Sequence, residues 1–287
     1  MNILITGCHG QLGSEMQTLE KYNPQHVYFN TDRHSLDITD KEAVMQFVEG
    51  NGIDGIVNCA AYTAVDKAES DEQQCRLLNA ASPAYLAEAI NKRQGWLVQI
   101  STDYVFDGTG HVPYTEADLP CPDSMYGTTK LEGENAAKQL CKRTMIIRTA
   151  WLYSAFGNNF VKTMLRLGRE KKAIGVVFDQ IGTPTYARDL ASAIMAAINK
   201  GIEPGTYHFS NEGAISWYDF TKAIHRLAGI KTCKVAPIHT SEYPTAAKRP
   251  HYSVLDKTKI KNTYGIDIPY WEDSLAECIE KIEKENR

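Results

Sequence analysis

The sequence has 287 residues, of which 43% are hydrophobic and 23% are charged. This is the balance of an ordinary globular protein, and it excludes a chain that is disordered over most of its length. The formal net charge is −4, so the basic excess that a nucleic-acid-binding protein uses to neutralise phosphates is absent.

The amino terminus, the apolar segments and the cysteines predict where the protein works. Residues 1–6 have neither the basic segment nor the long apolar stretch of a signal peptide. No stretch approaches about 18 consecutive apolar residues, so we expect no membrane-spanning helix. The seven cysteines lack C-x-x-C spacing, which favours reduced thiols over a disulfide framework or a zinc site. We therefore expect a cytoplasmic protein that binds neither membrane nor nucleic acid and holds no metal.

Strands and helices alternate in the first half of the chain. We predict strands over residues 2–6, 27–30, 55–58, 96–101 and 144–148. We predict helices over residues 14–19, 41–49 and 71–91, and a longer one that begins near Ser124. The alternation indicates βαβ units, which build a parallel sheet with helices on both faces. Because such crossovers are right-handed, the predicted class is α/β with a Rossmann-like, doubly wound parallel sheet.

A glycine string joins the first strand to the first helix. Gly7, Gly10 and Gly13 form a G-x-x-G-x-x-G loop, where side chains would hold a pyrophosphate away from the backbone. The helix amino terminus offers N–H donors and a positive dipole to the same phosphates. The alternative is a tight packing turn, but the strand context and the acid at position 32 favour a dinucleotide.

The alternation loosens after about residue 150. Helices are predicted over residues 187–200, 216–228 and 274–285. No flexible Gly/Ser linker separates the halves, so we expect a smaller mixed α/β lobe packed closely on the first. Residues 1–150, completed by part of 175–210, are predicted to form the dinucleotide-binding domain, and residues 151–287 mainly the substrate-binding domain.

An acid follows the second strand. Asp32 is placed to accept hydrogen bonds from an adenosine ribose, and its charge would repel a 2′-phosphate, which favours NADH. Arg33 could instead pair with that phosphate, which favours NADPH. Because the two signals conflict, we expect NADPH or NADH as the cofactor. Asp37 and Ile38 would flank the adenine, although Asp37 could equally cap the helix that starts at Lys41.

The most informative constellation joins the end of the fourth strand to the helix downstream. Thr102 lies at the strand end, and Tyr126 and Lys130 are four residues apart, so they share one face of a helix. A lysine ammonium beside a phenol favours the phenolate and brings its pKa of about 10 closer to neutrality. The phenol can then exchange a proton with a carbonyl–alcohol pair, while Thr102 hydrogen-bonds the same oxygen. Y-x-x-x-K alone is more often an exposed helical pair, but the glycine loop and the strand-end Ser-Thr-Asp favour catalysis by Thr102, Tyr126 and Lys130.

Together these motifs resemble the extended short-chain dehydrogenase/reductases, and longer blocks resemble one family among them. Residues 58–69, NCAAYTAVDKAE, are similar to the N-A-A-A-x-T-x-V-D-x-A-E block of the dTDP-4-dehydrorhamnose reductase family. Further blocks that match this family lie at 101–106, 148–153, 157–160, 179–185 and 249–256. The similarity covers essentially the whole chain.

This resemblance implies reduction of the 4-keto group of dTDP-4-dehydro-6-deoxy-L-mannose to dTDP-L-rhamnose, with NADPH or NADH. In the family the tyrosine donates the proton and the lysine holds the nicotinamide ribose, roles that carry over to Tyr126 and Lys130. The residues that fall on the family's cofactor contacts are Gly10, Gln11, Leu12, Asp32, Asp37, Ile38, Ala61, Tyr62 and Thr63. Those that fall on its sugar contacts are Thr102, Asp103 and Trp151. Trp151 could also be a core aromatic just beyond a strand.

One feature departs from the family. Some members dimerise through a magnesium site built from acids on the first helix and near the Pro-Thr segment. Glu15 is retained, but Arg188 occupies the region where a second acid would stand. Because a cation beside magnesium ligands is unfavourable, we expect a monomer or weak homodimer without that metal.

Two other functions fit parts of the pattern. A nucleotide-sugar epimerase or dehydratase with a tightly held NAD would share the fold, but dehydratases place an acid where this chain has Tyr104. A regulatory binding subunit of a methionine adenosyltransferase also resembles the family, yet a pure binding role needs no proton donor. The intact set of Thr102, Tyr126 and Lys130 therefore favours a reductase that acts on a dTDP-sugar.

Overall fold

The computed structural model describes residues 1–285, in which strands and helices follow the predicted alternation. In chain order the strands are β1 (Asn2–Thr6), β2 (Val27–Thr31), β3 (Gly55–Asn58), β4 (Trp96–Thr102), β5 (Thr144–Thr149), β6 (Leu152–Tyr153), β7 (Ala173–Val177), β8 (Ile181–Gly182), β9 (Thr185–Tyr186), β10 (Gly205–His208), β11 (Ile215–Ser216) and β12 (Lys234–Ile238). The helices are α1 (Gln11–Glu20), α2 (Lys41–Gly50), α3 (Val65–Ala68), α4 (Glu72–Arg76), α5 (Ser82–Lys92), α6 (Met125–Leu140), α7 (Phe160–Glu170), α8 (Ala187–Lys200), α9 (Trp217–Leu227), α10 (Thr258–Tyr264) and α11 (Trp271–Glu285). Within residues 1–285, no helix combines the length and apolar character needed to cross a membrane.

Six of the strands form one all-parallel sheet in the order β10-β5-β4-β3-β1-β2. Helices α1 and α8 cover one face of this sheet, and α2, α5 and α6 cover the other. The predicted Rossmann-like, doubly wound sheet is thus confirmed. A ligand in such a sheet binds outside the carboxyl ends of the strands, because the loops that diverge there leave a crevice.

The side chains of β1 explain why the central strands read as unbroken apolar runs. Ile3 and Ile5 pack on the face that α1 and α8 cover, whereas Leu4 packs on the opposite face. All three are fully buried. Because both faces of the sheet are covered, these strands show no alternation of apolar and polar residues. The polar residues begin where the strands end, and this fixes the edge at which a site can form.

The predicted helix over residues 71–91 is interrupted. Helices α4 and α5 are joined by a π-helical turn over Leu77–Ala81, a rare conformation that is frequent at functional sites. The turn lies where α6 packs closely, because a Cβ on Gly133 would be 2.0 Å from the carbonyl oxygen of Asn79. Its residues carry no pattern that distinguishes a π turn from an α turn, so the sequence did not predict it.

Helices α7, α9 and α11 build the core of the second lobe. Three two-stranded sheets accompany them, with the pairings β11-β8, β12-β7 and β6-β9. The chain returns to the first lobe in between, because β10 pairs with β5 at the edge of the central sheet and α8 packs on its face. The two lobes are therefore interleaved along the chain, and a cleft lies between them.

Candidate active site

A cavity of about 1620 Å³ lies at the carboxyl ends of the central strands, between the two lobes. Sites for single small molecules typically measure roughly 300–1,000 Å³, so this one has room for a dinucleotide and a second ligand. The predicted site residues that line it are Gly7, Gly10, Gln11, Leu12, Asp32, Arg33, Asp37, Ile38, Ala61, Thr63, Thr102, Asp103, Tyr126, Lys130 and Trp151. The structure thus brings residues from widely separated segments to one place.

The glycine loop lets backbone approach backbone where side chains would not fit. Gly7 has a φ of +63°, and a Cβ there would lie 2.9 Å from the backbone nitrogen of Ala60. Gly10 is extended and caps α1, which begins at Gln11, three residues earlier than predicted. A Cβ on Gly13 would lie 2.3 Å from the carbonyl oxygen of Gly7, so Gly13 allows α1 to pack on the loop from behind the cavity wall. The free N–H groups at the start of α1 and the bare backbone fit a pyrophosphate.

The segment Ala61–Thr63 is braced from the π-helical turn. The side chain of Asn79 accepts a hydrogen bond from the Tyr62 N–H (2.9 Å) and donates one to the Tyr62 carbonyl oxygen (3.1 Å). The Tyr62 hydroxyl donates to Asp71 (3.1 Å), and Tyr62, unlike Ala61 and Thr63, is not one of the residues that line the cavity. Asn79 is buried, and its role was missed because its contacts depend on the unpredicted turn.

Asp32 follows β2 and is held by its own turn. Its Oδ1 accepts hydrogen bonds from the N–H groups of His34 (3.0 Å) and Ser35 (2.9 Å). The hydrogen bonds from Ser35 hold the pKa of this carboxyl below its usual range, so it is charged at neutral pH. The exposed Arg33 lies within 3.8 Å of Asp37. An acceptor for a ribose and a cation for a 2′-phosphate are therefore both present, and the geometry is compatible with either cofactor.

Helix α6 delivers Tyr126 and Lys130 to the cavity. Ser124 caps the helix by accepting a hydrogen bond from the Gly127 N–H (3.1 Å), which places Tyr126 in the first turn and Lys130 one turn further on. The Lys130 ammonium is buried and donates to the carbonyl oxygen of Ile100 (2.6 Å). Burial lowers the pKa of Lys130 to about 8.

The electrostatics of Tyr126 differ from the prediction. Desolvation of its hydroxyl raises the pKa above the ordinary value of 10, and the hydrogen bond with Thr102 offsets part of that rise. The predicted lowering by the Lys130 ammonium is wrong for this chain, because that ammonium is itself desolvated and donates to a backbone carbonyl. Tyr126 consequently keeps its proton at neutral pH, which suits a group that donates a proton to a carbonyl oxygen.

Thr102 and Asp103 form a polar pair at the end of β4. The Thr102 hydroxyl donates to Asp103 Oδ1 (3.0 Å) and accepts from the Tyr104 N–H (3.2 Å). Asp103 is 2% exposed, and within the described residues its Oδ2 has no hydrogen-bond partner. Burial raises the pKa of this carboxyl to about 6. A buried oxygen without a partner is rare, and Asp103 is one of the residues that line the cavity.

Replacing Asp103 by asparagine is expected to stabilise the protein above neutral pH. The carboxyl keeps its proton to about pH 6 in the folded state but loses it near 3.8 when unfolded, so the wild type loses stability as the pH rises through that window. Asparagine keeps the acceptor for Thr102 and carries no charge. Urea unfolding should show Asp103→Asn gaining on the order of 2 kcal/mol over the wild type between about pH 4 and pH 8. Parallel stability–pH curves for the two proteins would contradict this account.

An aromatic wall closes one side of the cavity. Trp151 has a φ of +47°, a strained conformation for a residue with a side chain. Its ring stacks on Trp217 with centroids 3.5 Å apart, and Phe160 packs on Trp217 at 4.6 Å. A Cβ on Gly182 would lie 2.7 Å from the Trp151 ring, so glycine makes room for it. Trp151 thus lines the cavity with one part of its surface and packs against the apolar core with another. Trp217 is a second wall residue, which the sequence did not predict.

Glu15, the acid considered for a magnesium site, already has partners. It is fully buried, accepts a hydrogen bond from the Ser154 hydroxyl (2.6 Å) and lies 3.4 Å from the Lys281 ammonium. Arg188 lies 3.4 Å from Glu277. Across residues 1–285, no group of three or more metal-ligating side chains is assembled. The side chains of Lys281 and Arg188 are cations beside the acids Glu15 and Glu277. Because a cation repels a bound metal ion, these surroundings do not fit magnesium.

The Rossmann-like sheet, the glycine loop and the Tyr-x-x-x-Lys helix define an enzyme of the extended short-chain dehydrogenase/reductase class. The family model described as the RmlD substrate binding domain matches residues 1–284. A dTDP-4-dehydrorhamnose reductase from Aggregatibacter actinomycetemcomitans is 41% identical over an alignment that covers 95% of this chain and 96% of that protein. The chain therefore belongs to the dTDP-4-dehydrorhamnose reductase family.

Solved structures agree with this assignment. A dTDP-4-dehydrorhamnose reductase from Clostridium acetobutylicum superimposes with a TM-score of 0.95 at 46% identity and covers 99% of this chain and 100% of its own. The Bacillus anthracis enzyme, solved in complex with NADP, gives a TM-score of 0.93 at 40% identity, with coverage of 98% and 99%. The predicted family and the predicted use of a nicotinamide cofactor are confirmed.

Proposed function

We propose that this NAD(P)H-dependent oxidoreductase reduces the 4-keto group of dTDP-4-dehydro-6-deoxy-L-mannose and releases dTDP-L-rhamnose. The observation that carries the proposal is the meeting of Thr102, Tyr126 and Lys130 in the cavity that the glycine loop also lines. The names shared by the relatives support the dTDP-sugar as the substrate.

Tyr126 is the proton donor in the proposed reaction. NAD(P)H, when bound, supplies the hydride that reduces the carbonyl carbon. The phenol keeps its proton until negative charge develops on the 4-oxygen, and the transfer of that proton completes the new hydroxyl. Thr102 orients the same oxygen. Lys130, whose ammonium is fixed on the Ile100 carbonyl oxygen, holds the nicotinamide ribose.

Further wall residues of the cavity suit a 6-deoxysugar. The rings of Trp151 and Trp217 offer an apolar surface to the methyl group and to one face of the sugar. Asp103, which also lines the cavity, is the polar partner for a sugar hydroxyl in the proposed complex. A deoxysugar thus finds both apolar contact and a polar partner within one site.

The proposed function is tested by following NADPH and NADH oxidation with dTDP-4-keto-6-deoxyhexose substrates and identifying the product sugar. A reductase consumes reduced cofactor in proportion to the product formed. An epimerase or dehydratase recycles its cofactor and would show product without net oxidation. Absence of turnover together with co-purification of a partner protein would favour the regulatory alternative.

Removing the Arg33 guanidinium is expected to shift the cofactor preference toward NADH. In the proposed complex this exposed side chain pairs with the 2′-phosphate, which NADH lacks. Arg33→Ala should raise the KM for NADPH about tenfold, the effect of one lost charge-assisted hydrogen bond, and leave that for NADH nearly unchanged. Steady-state kinetics with both cofactors measure the ratio. An equal change for both would show that Arg33 does not contact the 2′-phosphate.

The assembly state and location form part of the same proposal. Glu15 is paired with Ser154 and Lys281 inside one chain, so it is not free to ligate a metal that links two chains. We infer a monomer or weak homodimer that works in the cytoplasm, where nucleotide sugars and reduced nicotinamide cofactors are found together.

A further inference from the structure

A segment of the second lobe forms part of the cavity wall. We call residues 243–249 the strap, and five of its residues line the cavity: Tyr243, Pro244, Thr245, Ala246 and Arg249. Just before the strap, Thr240 is fixed in the second lobe, since its N–H and its hydroxyl both donate to Asp179 Oδ1, at 2.9 and 2.7 Å. The strap therefore leaves a firm anchor and runs along the cavity wall toward the first lobe.

Two carboxylates attach the far end of the strap to the first lobe: Asp123 pairs with the exposed Lys248, and Asp66 pairs with Arg249. Asp66, on the short helix α3, accepts from the Ala247 N–H at Oδ1 (3.1 Å) and from Arg249 Nη2 at Oδ2 (2.5 Å). The Arg249 side chain is 20% exposed and that of Asp66 is 47% exposed. This ion pair is the attachment that leads from the strap to the block of residues 58–69.

The same guanidinium also reaches the catalytic residues. Arg249 Nη1 donates to the Tyr104 hydroxyl (2.9 Å), and its guanidinium carbon lies 5.8 Å from the centre of the Tyr104 ring. The Tyr104 ring packs edge-on against Tyr126 with centroids 5.5 Å apart. Arg249 thus connects the strap, of which it is part, to Tyr104, the side chain that packs against the proton donor Tyr126.

We propose that Asp66, Tyr104 and Arg249 form a clasp that closes the strap over the sugar-nucleotide end of the cavity, with Arg249 as the positioning residue that sets the affinity for this substrate. This inference rests on the proposed function for the identity of the ligand. The strap seals bound substrate from water, while the link through Tyr104 keeps the ring of Tyr126 in register with the sugar. The cofactor lies on the glycine-loop side and does not depend on the clasp.

Arg249→Met and Asp66→Ala each open the clasp, and Lys248→Met serves as the matched control. Lys248 lies on the same strap and pairs with Asp123, but its side chain is 62% exposed and does not line the cavity. Because an exposed ion pair contributes little, its loss tests for a general effect of removing charge from the strap. We expect both clasp variants to raise the KM for the dTDP-sugar and the Kd for dTDP about tenfold. The Kd for NADPH should stay within about twofold of the wild type, as should every constant of Lys248→Met.

Hydrogen exchange at the Ala247 amide gives a readout that requires no turnover. Its N–H is protected by Asp66, so both clasp variants should exchange it faster than the wild type, and dTDP should slow exchange in the wild type. If the wild type reduced no dTDP-4-keto sugar, the proposed function would be wrong. The exchange rate of the Ala247 amide and the Kd for dTDP would still test whether the clasp exists.

Two results would overturn the clasp. Unchanged exchange at Ala247 in both variants would show that the ion pair does not hold the strap. Tighter dTDP binding by Asp66→Ala would show that Arg249 acts by direct pairing with the diphosphate, because removal of the neighbouring carboxylate would then free the guanidinium for that ligand.

Discussion

Tyr126→Phe is expected to lose most turnover while it still binds the cofactor. The substitution removes one oxygen and its proton, and the ring that packs against Tyr104 remains. Because a positioned general acid typically contributes roughly 10²–10⁴ in rate, kcat should fall by about that factor. The Kd for NADPH should change by less than about threefold, since the glycine loop and Asp32 are untouched. Stopped-flow reduction of the keto-sugar and fluorescence titration of NADPH measure the two quantities.

Tyr114→Phe is the matched control for this experiment. The Tyr114 hydroxyl is also hydrogen-bonded, to Asp107 and to the Gly110 N–H, but it lies outside the described cavity wall. Its loss should leave kcat close to that of the wild type. Near-normal turnover by Tyr126→Phe would mean that another group donates the proton, and the buried Asp103, with a pKa raised to about 6, would then be the first to test.

The order of the elements could be predicted because each central strand is buried on both faces. Apolar runs such as Asn2–Thr6 and Thr144–Thr149 stand out against polar helices, and a capping side chain marks the start of α2, α6, α7 and α9. The π-helical turn at Leu77–Ala81 could not be predicted, because the close approach of α6 that it accommodates is a property of the packed fold. The pairing of β10 with β5 was predicted only in outline, as the expectation that part of residues 175–210 completes the dinucleotide-binding domain.

The candidate site was predictable where its chemistry is local in sequence. The glycine loop and the Tyr126–Lys130 pair are each short, contiguous motifs, so the sequence shows them directly. Trp217 and Arg249 were missed because their partners Trp151 and Tyr104 lie far away in the chain. The direction of the Tyr126 pKa shift was wrong for the same reason, since desolvation depends on which segments pack around a hydroxyl and cannot be read from a spacing of four residues.

A buried ion pair beneath the catalytic residues gives the largest expected effect on stability. Glu134 accepts hydrogen bonds from Arg148 Nε (2.9 Å) and Nη2 (2.8 Å) and from the Ser101 hydroxyl (2.5 Å). Both charged side chains are at most 3% exposed. Burial alone would raise the pKa of Glu134, but the hydrogen bonds and charge of Arg148 outweigh it and hold the pKa below 4.5. The pair lies one helical turn from Lys130, so it supports the floor of the site.

Glu134→Ala is expected to lower the free energy of unfolding by about 3–5 kcal/mol at neutral pH, because it leaves the Arg148 guanidinium buried without its partner. The loss should shrink below about pH 4. There Glu134 of the unfolded wild type takes up a proton while the folded state stays ionised, so the stability that Glu134 contributes falls, and it disappears as the pH drops through the lowered pKa of the folded state. Urea unfolding across this range measures both effects.

Two further variants separate the buried pair from a general effect of losing charge on α6. Glu132 also lies on α6, and its half-exposed carboxylate pairs with Arg76 of α4. Glu132→Ala should cost less than about 1 kcal/mol. The double variant Glu134→Leu with Arg148→Met replaces both charges by apolar side chains, so it should be more stable than Glu134→Ala. If Glu134→Ala cost no more than Glu132→Ala, the pair would contribute no more than an exposed one, and the site would have to be supported by the apolar packing of α6 on the sheet.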